Sequence, residues 1–455
     1  MRNILIIGAG RSATSLIRYL IEKSSAENLH ITIGDISIES AQKLTKNHLN
    51  ATGILLDVFN KKQREEAVKA SDIVISMLPA RFHIEVAKDC IAFEKNLVTA
   101  SYISDEMQSL NEEVIDKGLV FMNEIGVDPG IDHMSAMQVI DTIRSKGGNV
   151  VLFESFTGGL IAPESDDNLW NYKFTWNPRN VVLAGQGGAA EFLQEGLYKY
   201  IPYNKLFRRT ELIKIKGHGE FEVYANRNSL KYQKVYGFKD ILTLYRGTIR
   251  RVGFSRAWNI FVQLGMTDDS YTIPNSEKLS YREYVNLFLP YSPTDSIELK
   301  LRHSLKIDQD DSIWKKLKEI DLFNGNKYLE IKNATPAQAL QKILMEKWAL
   351  AKEDKDMIVM YHKFGYELNG KNYQIDSSMV TIGEDQTYTA MSKTVGLPVA
   401  IATLQILNKK ITTPGVLRPI DKEVYKPILE ELETYGVQFN EEKKEYLGYN
   451  PDNLN

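Results

Sequence analysis

Short apolar runs alternate with longer amphipathic stretches through the first third of the chain. Ile4–Ile7 and Ile31–Ile33 have the length and composition of buried strands, and Ala13–Glu22 between them has the periodicity of a helix. The same alternation predicts strands at Ile54–Leu56, Ile73–Met77, Asn96–Ala100 and Val120–Asn123 and helices at Ile38–Lys46, Lys62–Lys69, His83–Cys90 and Asp105–Lys117. Strands that alternate with helices pair in parallel, so this region is predicted to be a doubly wound, Rossmann-type α/β domain.

After about residue 130 the pattern becomes mixed. The clearest elements are strand-like runs at Val150–Phe156, Glu220–Ala225 and Leu242–Arg246 and helices at Ser312–Ile320 and Pro336–Glu346, which lie in a charged, helical stretch. Met357–Glu367 and Lys371–Val380 predict a β-hairpin, because the Asn369-Gly370 pair between them suits a type I′ turn. This part is predicted to be an α+β domain with a helical subdomain.

The turn after the first predicted strand is rich in small residues. It reads Gly8-Ala9-Gly10-Arg11-Ser12-Ala13 and leads into a predicted helix. Gly8 allows a tight turn, Gly10 lets the backbone approach a pyrophosphate, and Ala13 takes the position of the third glycine of the dinucleotide fingerprint. The N–H groups at the start of the helix would face the phosphates. The alternative is a βα turn with no ligand, but the order of strand, turn, helix, strand and acid favours a nucleotide site.

An acidic residue, Asp35, ends the second predicted strand about 20 residues beyond this turn, the usual spacing for the acid that binds the adenosine ribose. A carboxylate there repels a 2′-phosphate, so Asp35 favours NAD over NADP. Asp57-Val58 would border the adenine, and Met77-Leu78-Pro79 the nicotinamide ribose, because right-handed crossovers bring the strand ends to one edge. The cofactor-binding candidates at this edge are Gly8, Gly10, Arg11, Ser12, Ala13, Asp35, Ile36, Asp57, Val58, Met77, Leu78, Pro79, Ala100 and Ser101.

A long apolar helix is predicted near the C-terminus. It spans Thr387–Leu407, and Pro398 within it predicts a break near Leu397. We assign it to the first domain. The predicted division is a dinucleotide-binding domain of residues 1–130 plus about 387–455, and a substrate domain of residues 131–386 with a helical insertion at about 281–352.

Composition narrows the classes of function. The chain has 455 residues, of which 43% are hydrophobic, and a net charge of −3, which is ordinary for a globular protein of two or three domains. It has no global basic field for nucleic acid. The single cysteine, Cys90, excludes an intramolecular disulfide and indicates a reducing, cytoplasmic location. We expect no membrane span, because the apolar N-terminus is too short, and no metal site, because the histidines are scattered.

A second group of motifs extends beyond the nucleotide turn. They are Ile75–Pro79, Ala100–Ser104, Met122–His133 with its Asp-Pro-Gly-Ile-Asp-His sequence, Gly158–Glu164 with its Gly-Gly-Leu sequence, Tyr172–Arg179, Ala225–Ser229, Arg246–Arg250 and Ser392–Gly396. Over nearly the whole chain these motifs resemble the saccharopine dehydrogenases of the glutamate-forming type, also called saccharopine reductases. The resemblance implies an oxidoreductase that acts on a CH–NH group. It would interconvert saccharopine with glutamate and 2-aminoadipate semialdehyde in lysine metabolism, using a nicotinamide cofactor.

Two positions depart from the fungal members of that family. The fungal chains carry a cation at the end of the second strand, where this chain has Gly34-Asp35, and this difference again favours NAD and the catabolic direction. They also carry a cysteine before Gly-Gly-Leu, where this chain has Thr157. A threonine cannot take over proton transfer from a thiol of much lower pKa, so Thr157 is a catalytic candidate by position alone.

The resemblance makes Asp128 and Tyr102 the main catalytic candidates. Tyr102 follows a predicted strand at the crevice edge, where its hydroxyl could bind the substrate amine or a water molecule. Asp128 lies in a turn before Pro129-Gly130, where a carboxylate could pair with the amine or relay protons. The alternatives are a packed tyrosine and an Asx turn or helix cap.

Saccharopine carries three carboxylates, so its site needs several cations, preferably arginines that bind in a bidentate manner. Arg227, Arg246 and Arg250 are the candidates, and Arg179 is weighed beside them. The full set of substrate-binding candidates is Ser101, Tyr102, Asp128, Lys173, Arg227, Arg246, Thr248 and Arg250, and Trp176 would stack near the nicotinamide. The alternatives are solvated arginines, a domain-interface lysine and a core tryptophan.

Two other functions stay open on this fold. One is a reductive condensation of an amino acid semialdehyde with an amine, as in carboxynorspermidine synthesis, although a polyamine substrate needs acidic recognition. The other is a non-catalytic protein that senses NAD(H), which the threonine at position 157 leaves open. The expected partner is a small amino acid substrate, without nucleic acid or membrane, and a homodimer is the candidate oligomeric state.

Overall fold

The computed structural model describes residues 1–446, which divide into two compact units. Unit 1 comprises Met1–Val150, Glu367–Lys371 and Met379–Glu441. Unit 2 comprises Val151–Tyr366, Asn372–Ser378 and Glu442–Asn455, of which the structure describes the part up to residue 446. Unit 1 thus continues past residue 130, and the end assigned to the first domain, residue 455, lies outside the described residues.

The strands alternate with helices in the first third of the chain and cluster after it. In chain order the strands are β1 Arg2–Ile7, β2 Leu29–Asp35, β3 Ala51–Leu55, β4 Ile73–Ser76, β5 Asn96–Val98, β6 Val120–Met122, β7 Asn149–Ile161, β8 Ala190–Gln194, β9 Leu197–Ile201, β10 Thr210–Ile215, β11 Gly219–Ala225, β12 Thr243–Arg251, β13 Asp356–Leu368, β14 Lys371–Ile382, β15 Gly415–Leu417 and β16 Asn440–Glu445.

The α-helices fill the intervals between these strands. They are α1 Thr14–Lys23, α2 Ile38–Thr45, α3 Lys61–Lys69, α4 His83–Ala92, α5 Asp105–Ser109, α6 Asn111–Asp116, α7 Ile131–Ser145, α8 Pro178–Val182, α9 Tyr203–Leu206, α10 Tyr232–Val235, α11 Phe254–Leu264, α12 Tyr281–Asn286, α13 Ile297–Leu305, α14 Ser312–Glu319, α15 Pro336–Trp348, α16 Ala390–Leu407 and α17 Lys422–Thr434. Single 3₁₀ turns at Arg11–Ala13 and Ala80–Phe82 precede α1 and α4.

Unit 1 is built on a parallel sheet in the order β15-β6-β5-β4-β1-β2-β3. Central β1 pairs in parallel with β2 on one side and β4 on the other, with Ile4 beside both Ile31 and Ile73. The strand order reverses at β1, which is the point where sheets of this kind bind ligands. The predicted doubly wound sheet is therefore confirmed, and the C-terminal strand β15 adds an edge that the sequence pattern did not predict.

The core of unit 1 explains why these strands and helices form. Strand residues Leu5, Val74 and Leu97 are fully buried, and Val86 and Cys90 of α4 pack in the same cluster. The apolar runs of the strands are covered by helix faces, as a sheet buried on both sides requires. Cys90 serves here as a small apolar core residue.

Helix α16 runs through Pro398 without interruption, so the predicted break near Leu397 is wrong. Proline fixes φ at a value that a helix uses and removes one hydrogen bond, and packing offsets that loss here. The helix lies against α1, where Ser15 Oγ and Ser392 Oγ are 2.7 Å apart. By length and composition α16 could cross a membrane, but 78% of its 18-residue stretch is buried, as in the core helix of a globular unit.

Unit 2 contains a nine-stranded sheet in the order β10-β11-β12-β7-β13-β14-β16, with β8 paired to β12 and β9 to β8. Strand β12 is parallel to β7 and antiparallel to β11. Helices α12–α15 occupy most of the predicted helical stretch. The predicted fold class, a Rossmann-type sheet with an α+β domain that carries helices, is confirmed.

Local sequence signals set the start of the longest helix in that stretch. Thr335 Oγ1 accepts the backbone N–H of Gln338 at 3.2 Å, and Gln338 Oε1 accepts the backbone N–H of Thr335 at 2.9 Å. Pro336 occupies the first helical position, where its missing N–H costs nothing. This capping box begins α15 at the residue that the sequence pattern indicates.

Candidate active site

The two glycines of the turn in unit 1 differ in their surroundings: the fold requires a glycine at position 8, whereas position 10 faces open space. Gly8 has φ +108°, and a Cβ there would lie 2.9 Å from the carbonyl oxygen of Met77. At Gly10 a Cβ would meet no atom within 4 Å. Ala13 is buried, whereas Arg11 is exposed and Ser12 half-buried. The open space at Gly10 fits a close approach of a pyrophosphate.

Asp35 has both carboxylate oxygens engaged by the backbone. One oxygen accepts the N–H of Ala9 at 2.7 Å, and the other accepts the N–H of Ser37 at 2.9 Å. The first bond ties the end of β2 to the glycine turn, and the second orders the start of α2. The acid therefore has a structural task in the turn, which the spacing argument did not consider.

A cleft with mostly apolar walls and two aspartates lies beside this turn. It is lined by Ile7, Gly8, Gly34, Asp35, Ile36, Leu56, Asp57, Val58, Phe59, Leu78, Pro79 and Phe82. The rings of Phe59 and Phe82 stand at 87° with centroids 4.9 Å apart. The two rings are in edge-to-face contact and line the cleft together, and the lining places the predicted adenine residues Asp57 and Val58 in one cleft with Asp35.

The loop that carries Asp57 and Val58 is held by Arg64, which is a member of a buried ion pair. Arg64 Nη1 donates to the carbonyl oxygen of Val58 at 2.6 Å, and Arg64 Nε donates to Asp89. The carboxylate of Asp57 accepts the N–H of Phe59 at 3.0 Å and so caps its own turn. The adenine end of the cleft is thus held by contacts within unit 1.

Ser101 follows β5, which is the strand next to β4 in the sheet. Its Oγ is 2.7 Å from Nε2 of His83, whose Nδ1 is 2.8 Å from Ser76 Oγ. Burial lowers the pKa of His83 to about 4. Of the neighbouring candidates, Met77, Leu78 and Ala100 are half-buried and Pro79 is exposed.

Tyr102 and Asp128 form a hydrogen-bonded pair in unit 1. The Tyr102 hydroxyl donates to Asp128 Oδ1 at 2.8 Å, with the tyrosine 45% exposed and the aspartate half-buried. The loop that presents Asp128 is closed by the N–H of Gly126, which donates to Pro129 at 2.8 Å. Gly130 ends the loop at φ +146°, where a Cβ would overlap Gly126. Sequence neighbours thus hold a carboxylate and a phenol in contact.

A buried ionic network lies beneath this pair. Glu124 Oε2 is 3.0 Å from His133 Nε2, and its Oε1 accepts Arg418 Nε at 2.9 Å and the N–H of Ile103 at 3.1 Å. Burial alone would raise the pKa of Glu124, but His133 and Arg418 outweigh it and hold the pKa below its usual value. Because Ile103 follows Tyr102, the Glu124 carboxylate fixes the segment that carries the tyrosine.

The sequence interpretation did not include Glu124, Arg418 or His83 among the functional residues. A signal existed for Glu124, since it is a charged residue inside the buried Met122–Val127 run. His83 also follows a strand end directly. Arg418 had no signal, because its partner lies 294 positions earlier in the chain.

In unit 2, Arg250 is a buried cation in an aromatic box. It is 5% exposed, and its guanidinium lies 5.2, 5.4 and 5.8 Å from the ring centroids of Tyr172, Phe254 and Tyr224. Nη1 donates to its neighbouring carbonyl at 2.9 Å, and buried Nε has no hydrogen-bond partner in the part of the chain that the structure describes. Among residues 1–446 no carboxylate pairs with it. A buried cation without a carboxylate is costly, so this position fits an anionic ligand.

Strand alternation groups Arg250 with other candidates. Arg246, Thr248 and Arg250 alternate along β12 and therefore share one face of the sheet. Thr157 of β7 lies beside Thr248 in the parallel register, and its buried hydroxyl has no partner in the described chain. Arg246 is 5% exposed and lies 4.3 Å above the ring of Tyr232. One face of unit 2 thus carries two buried arginines and two hydroxyls.

The remaining candidates of unit 2 lie in different surroundings. Lys173 is buried because Asp167 and Asp354 accept from its Nζ at 2.8 and 2.7 Å, so packing explains it without a substrate. Arg179 pairs with Asp269. Arg227 is exposed in the loop after β11, and Trp176 is half-buried just before α8.

The parallel sheet, the glycine turn and the cleft beside it define a nucleotide-binding protein of the Rossmann class. Two family models cover the chain: the saccharopine dehydrogenase NADP binding domain matches residues 4–122, and the saccharopine dehydrogenase C-terminal domain matches residues 126–437. The chain belongs to the saccharopine dehydrogenase family. The resemblance inferred from the motifs is confirmed.

Individual relatives are similar over nearly the whole chain. Saccharopine dehydrogenase [NADP(+), L-glutamate-forming] of Schizosaccharomyces pombe is 33% identical over 97% of this chain and 99% of its own length. The solved apo saccharopine dehydrogenase (L-Glu forming) of Saccharomyces cerevisiae has a TM-score of 0.88 and 32% identity, over 98% of this chain and 100% of that chain.

A mouse relative is longer. Mitochondrial alpha-aminoadipic semialdehyde synthase of Mus musculus is 33% identical over 96% of this chain, but the match covers only 47% of the mouse protein. The chain therefore spans about half the length of this mouse relative.

The prediction of NAD as the cofactor is wrong. The matched family model is described as NADP binding, and the fission yeast relative is named as NADP(+)-dependent. The physical reason for the error is visible at Asp35, whose two oxygens are bonded to Ala9 and Ser37. The carboxylate belongs to the turn, and its place in the sequence does not decide whether the ribose carries a phosphate.

Proposed function

We propose that this protein catalyses glutamate-forming saccharopine dehydrogenation. Saccharopine, NADP⁺ and water give L-glutamate, 2-aminoadipate semialdehyde, NADPH and a proton. A bound nicotinamide cofactor would supply the hydride acceptor, for a hydride from the carbon on the aminoadipate side of the secondary amine. The structural observation that carries the proposal is Arg250, a buried cation with no carboxylate partner of its own in the described chain.

Unit 1 supplies the cofactor-binding residues. The space at Gly10 and the N–H groups of the following turn bind the pyrophosphate. The cleft lined by Asp57, Val58 and Phe82 holds the adenine. A 2′-phosphate needs a cation, and exposed Arg81, whose guanidinium lies 4.6 Å above the ring of Phe82, is the cation we assign to it.

Asp128 and Tyr102 handle protons in the proposed reaction. The secondary amine of saccharopine is protonated at neutral pH, and hydride leaves readily only after the nitrogen has lost its proton. Asp128 takes that proton as general base. The Tyr102 hydroxyl, which donates to Asp128 at 2.8 Å, orients the carboxylate, and its oxygen can accept a hydrogen bond from the water that attacks the imine.

The arginines of unit 2 bind the substrate carboxylates. Arg250 takes one carboxylate in a water-poor box, where a charge-assisted, bidentate contact is strong. Arg246, on the same face of β12, and Arg227, in the loop after β11, take the others. Three cations match the three carboxylates of the substrate, whereas a polyamine would be repelled.

The purified protein with saccharopine tests this proposal. We expect NADPH absorbance to rise with saccharopine and NADP⁺, glutamate to appear by mass spectrometry, and NADP⁺ to give a higher kcat/KM than NAD⁺. Arg81→Ala should raise the KM for NADP⁺ roughly tenfold, the value of one lost charge-assisted contact, and leave that for NAD⁺ unchanged. Binding of NADPH without turnover of saccharopine would overturn the proposal.

A further inference from the structure

His83 connects two serine hydroxyls at the carboxyl edge of the parallel sheet. Its Nδ1 lies 2.8 Å from Ser76 Oγ, and its Nε2 lies 2.7 Å from Ser101 Oγ and 3.3 Å from Thr99 Oγ1. His83 is 4% exposed and Ser76 is fully buried, but Ser101 is half-exposed. The chain of contacts therefore leads from the interior of unit 1 to its surface.

The protonation state of His83 determines which of its ring nitrogens donates and which accepts a hydrogen bond. Burial keeps the ring neutral, because it holds the pKa of His83 at about 4. A neutral imidazole has one N–H donor and one acceptor nitrogen, so the two serines meet different partners on the ring. Among residues 1–446 no carboxylate is bonded to it.

Ser101 has bonding capacity left over. A hydroxyl has one donor and two acceptor positions, and His83 uses one of them. The backbone N–H of Ser101 donates to Thr99 Oγ1 at 3.3 Å, which fixes the residue's main chain as well. Because Ser101 is half-exposed, this remaining capacity is available to a bound ligand.

The position of Ser101 indicates which part of a dinucleotide it meets. The adenine cleft is lined from the ends of β1, β2 and β3 and from the segment after β4, whereas β5, which Ser101 follows, is the next strand of the sheet beyond β4. In a sheet of this order the nicotinamide half lies across the β4 and β5 ends. We propose that His83 is a positioning residue that orients the Ser101 hydroxyl toward the nicotinamide half of the bound cofactor.

This inference rests on the proposed function, because it assumes that NADP⁺ takes part in hydride transfer. The competing interpretation is that His83 only packs. The two interpretations predict different rates for the double variant. A positioning residue acts through Ser101, so removing both side chains should lower kcat no more than removing one.

The experiment compares the variants His83→Phe, Ser101→Ala, the double variant and His83→Gln. The glutamine amide can replace Nε2 as a partner of Ser101, whereas phenylalanine cannot. Cys90→Ala is the matched control, because it removes a fully buried side chain from the same helix without touching a serine. The readouts are kcat, the KM for saccharopine, and the isotope effect on kcat with saccharopine deuterated at the carbon that loses hydride.

We expect His83→Phe and Ser101→Ala each to lower kcat roughly tenfold, the upper value for one hydrogen bond, with the KM for saccharopine unchanged and the isotope effect increased. The double variant should be no slower, and His83→Gln should recover most of the rate. If His83→Phe does not fold, Ser76→Ala takes its place and should show the same non-additivity with Ser101→Ala.

Multiplied losses in the double variant would overturn the inference, as would a His83→Phe rate within twofold of the wild type or a Cys90→Ala loss equal to it. The wild type is measured in parallel. An inactive wild type contradicts the proposed function, whereas an active wild type with unaffected His83 variants contradicts this inference alone.

Discussion

The candidate residues of the two units differ in how completely the protein itself satisfies them. In unit 1, Tyr102, Asp128 and Ser101 are each bonded to another side chain, and the Glu124 network supports them. In unit 2, buried polar atoms of Arg250, Tyr172 and Thr157 have no partner in the described chain. Buried polar groups are nearly always paired. Unit 1 is therefore preorganised, whereas unit 2 is incomplete without an anionic ligand.

The comparison predicts different kinetic effects for the two units. Substitution of Tyr102 or Asp128 should lower turnover, because these two groups act in the reaction. Changes at the arginines should mainly weaken substrate binding, because they meet a charge that is present before and after the reaction.

The largest effect is expected for Asp128→Asn. Loss of the general base should lower kcat about 10²–10⁴-fold, with NADPH affinity unchanged. The matched control is Asp141→Asn, because Asp141 also accepts a tyrosine hydroxyl, that of Tyr425, at 2.8 Å. The control should keep normal turnover. Normal kcat in Asp128→Asn together with a lower melting temperature would make Asp128 a turn residue and break the comparison.

Arg250→Ala is expected to act on binding. Loss of one partner of a buried charge pair costs roughly 2–5 kcal/mol, so the KM for saccharopine should rise at least about 30-fold. Arg251→Ala is the control, because Arg251 is the next residue and lies 4.7 Å from the ring of Phe221. Initial-rate measurements with saccharopine separate the two. Equal KM values for both variants would show that the unpaired Nε has no ligand to meet.

Glu124→Gln tests whether the network under Tyr102 stabilises unit 1. It removes the carboxylate that His133 and Arg418 share, which should cost roughly 2–3 kcal/mol, below the usual range for a buried pair because Arg418 is 25% exposed. The pKa of Glu124 is lowered in the folded state. Its stabilisation is therefore complete above the unfolded pKa of about 4.3 and is lost as pH falls through the folded value.

Urea denaturation at pH 7 and below pH 4 checks this sign. The difference in the free energy of unfolding between wild type and Glu124→Gln should have its full value at pH 7 and should decrease in acid. Glu65→Gln, which removes an exposed helical partner of Lys61, should show almost no difference at either pH. A difference that grows in acid would contradict the assigned pKa direction.

The parts of the structure that depend on local pattern were predictable. The strand predicted at Ile4–Ile7 is observed at Arg2–Ile7, and the helix predicted at Pro336–Glu346 is observed at Pro336–Trp348. Period and capping signals lie within one element, so they can be read from a single sequence. The long helix through Pro398 shows the limit, because burial of the whole helix outweighed a local breaking signal.

The site was predictable only as a set of strand ends. Parallel topology placed Asp35, Asp57 and Ser101 at one edge of the sheet. It could not show that the backbone N–H groups of Ala9 and Ser37 donate to the Asp35 carboxylate. The cofactor prediction failed for that reason. Partners distant in sequence, such as Arg418 for Glu124, arise from tertiary packing that no local pattern records.

The smallest predicted effects are at the glycine turn, where Gly8 should matter for stability and Gly10 for cofactor binding. Gly8→Ala places a Cβ at φ +108° and 2.9 Å from Met77 O, which should destabilise the fold by about 1–3 kcal/mol. Gly10 has φ −73° and ψ 176°, which any residue adopts, and its Cβ would meet nothing within 4 Å. Gly10→Ala should therefore keep the wild-type melting temperature but bind NADPH roughly fivefold more weakly, because the methyl group takes the space of the pyrophosphate. Fluorescence titration with NADPH and thermal unfolding of both variants measure the two effects. If Gly10→Ala bound NADPH normally, the open space at this turn would have no ligand, and unit 1 would be complete as a fold without being a cofactor site.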